Sequence, residues 1–186
     1  MNSEKSVVSE SAGAALIARP SLVEETHACG AYTVECIGAD GQVKWTDSFP
    51  NLVTTVGKNE MLDKALAGVT YTAAWYLGLV TGPGSGNTYL AANTASSHAG
   101  WTEAVPYSNS TRPAVSWNAA SGGAKSSTAT SFTINASATV AGAFLINDST
   151  KSGTTGVLFS VGNFSGGDRT IASGDTLNVT YTATLT

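Results

Sequence analysis

Charge is scarce in this sequence. Nine residues are Lys or Arg and thirteen are Asp or Glu, together 12% of 186, about half the usual share. The net charge is −4. Nucleic-acid binding draws on clustered Lys and Arg, so this balance argues against it. The deficit is also local. From residue 70 onward four acids (Glu103, Asp148, Asp168, Asp175) face four bases (Arg112, Lys125, Lys151, Arg169). The whole net charge therefore comes from residues 1–69.

Metal-ligating and redox side chains are equally sparse. There are two cysteines, Cys29 and Cys36, and two histidines. Neither histidine has zinc-ligand spacing to the cysteines. On one continuous strand a seven-residue offset puts the two cysteines on opposite faces, about 23 Å apart. A disulfide needs Cα atoms within about 7 Å, so they pair only if the chain turns near Gly30. The expectation is two small buried thiols. Long apolar runs are absent too, and no membrane-spanning helix is expected. The run Ala14–Ala18 is short and follows Glu4 and Glu10, unlike a secretory signal. Asn109, Asn135, Asn163 and Asn178 stand in Asn-x-Ser/Thr triplets, read here as by-products of a Ser/Thr-rich chain.

Ser, Thr, Asn and Gly take the place of charge. They suit strand faces and tight turns. Covering them with a neighbour costs less than covering Lys or Glu. Hydrophobic content is 42%, enough for a packed core.

The clearest pattern is the C-terminal alternation. Leu177, Val179, Tyr181, Ala183 and Leu185 point one way; Asn178, Thr180, Thr182, Thr184 and Thr186 point the other. Tyr32–Ile37 and Val43–Phe49 flank an Asp-Gly turn and read as a hairpin. Further strands are expected over 74–80, Ala114–Asn118, Ser131–Ser137, Ala141–Asn147 and Val157–Val161, with turns over 121–130 and 148–156. One helix is expected near 58–67, with Met61, Leu62, Ala65 and Leu66 as a core-facing stripe and Gly68 as its stop. Residues 88–112 show no regular period. Residues 1–28 read as a polar arm, expected to serve attachment to another chain, and 29–186 as the domain. The fold class is mainly β: an antiparallel β-sandwich or jelly roll with one short helix and an extended N-terminal arm.

Four groupings were weighed for chemistry. His98 with Glu103, Ser96 and Ser97 resembles hydrolytic equipment but lacks a Gly-x-Ser-x-Gly elbow, and reads as a surface or interface histidine. Asp168 and Asp175 flank the last turn and offer a carboxylate pair or calcium ligands; Asx-turn roles fit them better. Gly82, Gly84 and Gly86 superficially suggest a phosphate loop without its Lys-Ser/Thr ending. Trp75, Trp101, Trp117 and Tyr107 offer a glycan-stacking platform or core anchors. No catalytic, cofactor or metal residues are assigned.

The run Asn51–Asp63, then Trp75–Val80, resembles small structural proteins of tailed-bacteriophage virions, as does the ending Phe164–Ile171 with Gly174–Tyr181. The resemblance covers roughly residues 45–186. It implies a non-enzymatic capsid cement or decoration protein on the outer capsid surface, partnered by the major capsid protein and by copies of itself. No nucleic acid, membrane or small-molecule substrate is expected. The alternative expectation is a tail, collar or fibre component that binds a host-surface glycan. A third, from another class, is a hydrolase built on His98, Glu103 and a serine.

Overall fold

The computed structural model describes residues 26–66 and 74–186. Most of the expected arm, and the expected stop at Gly68, lie outside the described residues. The arm boundary moves inward: Ala28 already opens the first strand, and His27 exchanges backbone hydrogen bonds with Thr186 at 2.6 and 3.1 Å.

Two antiparallel sheets pack face to face, which is a β-sandwich. The first contains β1 (Ala28–Ile37), β2 (Val43–Pro50), β6 (Ala124–Ser126), β7 (Thr130–Thr133) and β11 (Thr176–Leu185). The second contains β3 (Leu52–Val53), β4 (Tyr76–Thr81), β5 (Glu103–Ala104), β8 (Ala138–Ile146), β9 (Leu158–Asn163) and β10 (Arg169–Ile171). Among the described residues one α-helix, α1 (Thr55–Leu66), follows β3 and packs on β9 of the same sheet.

β1 and β11 pair over ten residues, Ala28 opposite Leu185 through Ile37 opposite Thr176. The register puts Tyr32 beside Tyr181, Val34 beside Val179 and Cys36 beside Leu177, all buried. The expected alternation of β11 thus holds through Tyr181, while Ala183 is half-buried and Leu185, expected to face the core, is 47% exposed. Its inward residues meet β8 and β9 of the second sheet in one core cluster that includes Leu77, Leu145, Phe159 and Ile171. Tyr32 Oη shares a 2.6 Å hydrogen bond with Ser160 Oγ, joining the two sheets by a satisfied polar contact.

β8 shows no alternation because both its faces are covered. Val140 to Ile146 are all buried. Phe144, Ile146, Val80, Leu158 and Val161 face a second cluster, sealed by Trp101 and Ala95. The irregular segment 88–102 is therefore a lid of core, not a loop in solvent.

Four sequence expectations change. Ala114–Asn118 makes only isolated bridges, Ala114 to Tyr76 and Trp117 to Ser127. The stretch 121–130, read as a turn, contains β6. β5 and β10 were missed; they are two and three residues long, too short to show a period. The helix begins three residues earlier than expected because Thr54 caps it. Thr54 Oγ1 accepts the Gly57 amide at 3.0 Å and donates to Leu158 O. Gly57 lets the helix touch β9: a Cβ there meets Phe159 O at 2.6 Å.

The helical stripe is the larger correction. Gly57 is the buried residue of α1, while Leu62 is 56% exposed and Leu66 81%. Met61 alone of the stripe packs against the core. The helix rests on the sandwich through Gly57 and Met61, and Leu62 and Leu66 are left open.

Candidate functional site

One surface and two cavities stand out, and the groupings suggested by the sequence resolve against them. His98 stacks on Trp101, ring centroids 4.2 Å apart, and its Nδ1 lies 3.1 Å from Trp101 O. Ser97 donates its amide to Thr94 Oγ1, and the Ser96 hydroxyl lies 3.3 Å from the same oxygen. These serines turn toward Thr94 rather than toward the histidine. Glu103 belongs to a different constellation. Arg112 donates to it twice, Nε to Oε1 at 3.0 Å and Nη2 to Oε2 at 2.8 Å. The Tyr107 hydroxyl and the Ser152 amide also donate to it, at 3.3 and 2.7 Å. Arg112 in turn donates to the carbonyls of Asp148 and Gly153. Both ends of the pair are buried, their side chains 3% and 6% exposed. His98, Glu103 and Arg112 do line one cavity of about 240 Å³. In it the carboxylate is saturated by donors and turned toward a guanidinium, an arrangement that fastens the 148–153 turn to the body. Burial pushes the Tyr107 hydroxyl upward, and the Glu103 charge adds to that.

Asp168 and Asp175 do not converge on one site. Asp168 Oδ1 accepts the Gly84 amide at 2.7 Å. That bond also accounts for the Gly82–Gly86 loop, which closes on a protein carboxylate over a three-residue 3-10 turn. Asp175 accepts the Ala172 amide at 2.9 Å, the turn role expected of it, and Lys44 Nζ at 2.7 Å. Burial pulls its acidity weaker, but the Lys44 and amide donors outweigh it and hold the carboxyl below its ordinary value. Among the described residues no three His, Cys, Asp or Glu side chains gather as a metal site.

The cysteines lie on one continuous strand and are both free. Cys36 is buried as expected, and burial beside Asp175 pushes its thiol up to about 11. Cys29 is exposed, contrary to the expectation of two buried thiols. Of the aromatic grouping, Trp75, Trp101 and Tyr107 are core anchors. Trp117 is half-buried and packs edge-on to Tyr181 at 6.2 Å. The four never form one exposed platform. Asn163, one of the Asn-x-Ser triplets, is tied to Tyr89 and Gly84.

Two features went unnoticed in the sequence. The first is the outer face of the β1–β11 sheet. Register places Thr33 beside Thr180, Glu35 beside Asn178, Ala31 beside Thr182 and Cys29 beside Thr184. Ser131 and Thr133 of β7 and Ala124 and Ser126 of β6 continue these rows. Among the described residues at these outward positions, Glu35 is the one charge. Ser131 Oγ donates across the strands to Asn178 Oδ1 at 2.7 Å. The result is a wide, pleated field of hydroxyls and amides.

The second is an apolar cavity of about 560 Å³ at one end of the sandwich. Its floor is Ala28, Ala183 and Tyr181 of the first sheet; Leu145 and Phe159 come from the second, and Met61 and Ala65 from α1. Small side chains at Ala28 and Ala183 leave the space that Tyr32 and Tyr181 fill further along. Burial pushes the Tyr181 hydroxyl up to about 12, and Asn51 Nδ2 donates to it at 2.9 Å. Lys64 and Lys125 stand on the rim.

No protein-family model and no curated protein matches this chain.

Proposed function

We propose that this chain is a non-enzymatic structural protein of a tailed-phage virion, a capsid cement that bridges and stabilises neighbouring capsid subunits. The observation that carries the reading is the nearly charge-free outer face of the β1–β11 sheet. A monomer that must stay apart from its neighbours keeps charge on an exposed sheet. Neutral hydroxyls and amides lose little on being covered, since each finds a new hydrogen-bond partner across an interface and no isolated charge is desolvated. A stable protein–protein contact buries about 800 Å² on each partner, an area for which one sheet face is well suited. A protein that binds only the assembled lattice stabilises it by mass action, with no chemistry required. The resemblance of residues 45–186 to phage virion proteins points the same way. The major capsid protein and further copies of this chain are the partners in this reading.

The experiment places charge on the face. Thr33→Lys combined with Thr180→Lys keeps two outward strand positions polar, one exposed and one half-buried, and leaves the core untouched. The account expects an unchanged circular dichroism spectrum and at least a tenfold loss of binding to phage heads that lack the protein. A folded double variant that decorates heads as tightly as the parent rules this face out as the contact.

A further inference from the structure

We infer that the apolar cavity at the end of the sandwich is the seat of the chain's own N-terminal run Ala14–Ala18. This goes beyond the virion reading and does not depend on it. Three observations meet here. The cavity is open, lined by Trp75, Trp117, Phe159, Tyr181, Met61 and Ala183, and carries few polar atoms. Its borders include Leu185, 47% exposed, and the helix that displays Leu62 and Leu66. An apolar surface of this kind is ordinarily covered. The chain outside the described structure ends beside it: β1 begins at Ala28, and both Ala28 and Cys29 line the cavity.

In residues 1–25 the longest apolar run is Ala14-Ala15-Leu16-Ile17-Ala18. Nine residues separate Ala18 from Ala28. Extended, they span about 30 Å, ample for a return into an adjacent cavity, and Pro20 supplies a residue suited to the bend. Leu16 and Ile17 are the bulky apolar residues of the run, the same chemical class as the Leu145 and Phe159 that line the cavity. The last residues before Thr26 are Glu24 and Glu25, opposite in charge to the lining residue Lys125, while Lys64 is already paired with Glu60 at 3.8 Å. A tethered segment also competes at an effective concentration in the millimolar range, so the chain's own arm outcompetes a free one. The inference assigns the apolar run to the chain's own body, where the sequence alone suggested a neighbouring chain.

The test uses full-length chains. Leu16→Asp with Ile17→Asp should release the run; Val7→Asp with Val8→Asp, outside it, is the control. The probes are the fluorescent apolar dye anilinonaphthalene sulfonate and glutamyl-endopeptidase cleavage after Glu24 and Glu25, between the run and β1, followed by mass spectrometry. The parent and the control should bind little dye and resist cleavage at Glu24 and Glu25. The Leu16/Ile17 variant should bind dye stoichiometrically and be cut at least tenfold faster, with an unchanged circular dichroism spectrum. Leu16→Ala with Ile17→Ala, too mild to disturb the sandwich, should fall between. Equal dye binding and equal cleavage across all four proteins overturn the inference. Protection that appears only as the parent dimerises in sedimentation overturns it too, since the occupant is then a second copy.

Discussion

At the residue scale, the strongest polar commitment is Arg112 with Glu103. A salt bridge this deep is held by geometry, and removing one partner strands the other charge in the interior. Arg112→Ala also frees the carbonyls of Asp148 and Gly153 that it caps. The expected cost is about 3–5 kcal/mol, read as a lower urea midpoint with an unchanged slope. A loss under about 1 kcal/mol contradicts the structural role given to Glu103 and reopens a functional one. The second residue-scale case is Asp175. Its carboxyl is held below the ordinary carboxylate range mainly by Lys44, against the upward pull of burial. A group whose folded value is depressed adds stability that is present above its unfolded value and is lost as pH falls through the folded one. Lys44→Met removes the donor, so burial pushes Asp175 upward. Acid unfolding followed by circular dichroism should then begin at higher pH in Lys44→Met than in the parent. An unmoved transition means that the pair contributes nothing to the acid limb.

At the scale of the elements, legibility depended on how many faces a segment buries. β11 buries one face along most of its length, so its period of two was readable, and Leu177, Val179 and Tyr181 are in the core; Ala183 is half-buried and Leu185 is 47% exposed, because the sandwich no longer covers the end of the strand. β8 buries both, so its apolar run gave a strand without showing which side chains faced which cluster. Segment 113–119 alternates Val115 and Trp117 like a strand, yet makes only bridges; periodicity reports burial, and burial does not require a ladder. The helix failed in the opposite sense. Its stripe has the right spacing for a core, but only Met61 of it meets the sandwich, beside the close approach at Gly57. Two comparisons check these assignments. Leu177→Ala opens a cavity in a filled core and should cost about 2–5 kcal/mol, whereas Thr180→Ala on the outer face should stay within about 0.5 kcal/mol. Similar, mild values for both contradict the register of β1 with β11. Likewise Leu66→Ser, at a position 81% exposed, should leave the melting temperature within a degree or two of the parent. A large drop would mean that the end of α1 is packed after all.

At the scale of the whole molecule, the β-sandwich was legible from strand spacing and turn residues. The two surfaces that now carry the functional reading were not. The neutral face is a product of register: Thr33, Ser131 and Asn178 are distant in sequence and become one field only when β1, β7 and β11 align. The apolar cavity arises the same way, from Ala28 and Ala183 placed on one face at one end of the sheet. The groupings that were visible in sequence instead found structural uses. His98 stacks on a core tryptophan, Asp168 and Asp175 each close a turn, and three of the four candidate aromatics fill the interior. The low charge of the chain, noted first, is the one compositional signal that maps directly onto a surface.

The most direct test of the virion reading is a reconstruction of the phage particle that, on that reading, carries this chain. The account predicts density for the sandwich on the outer capsid shell, across the junction of neighbouring capsid subunits, with the β1–β11 face turned toward the lattice. Density confined to the tail or its fibres, or a particle that lacks the chain altogether, contradicts it.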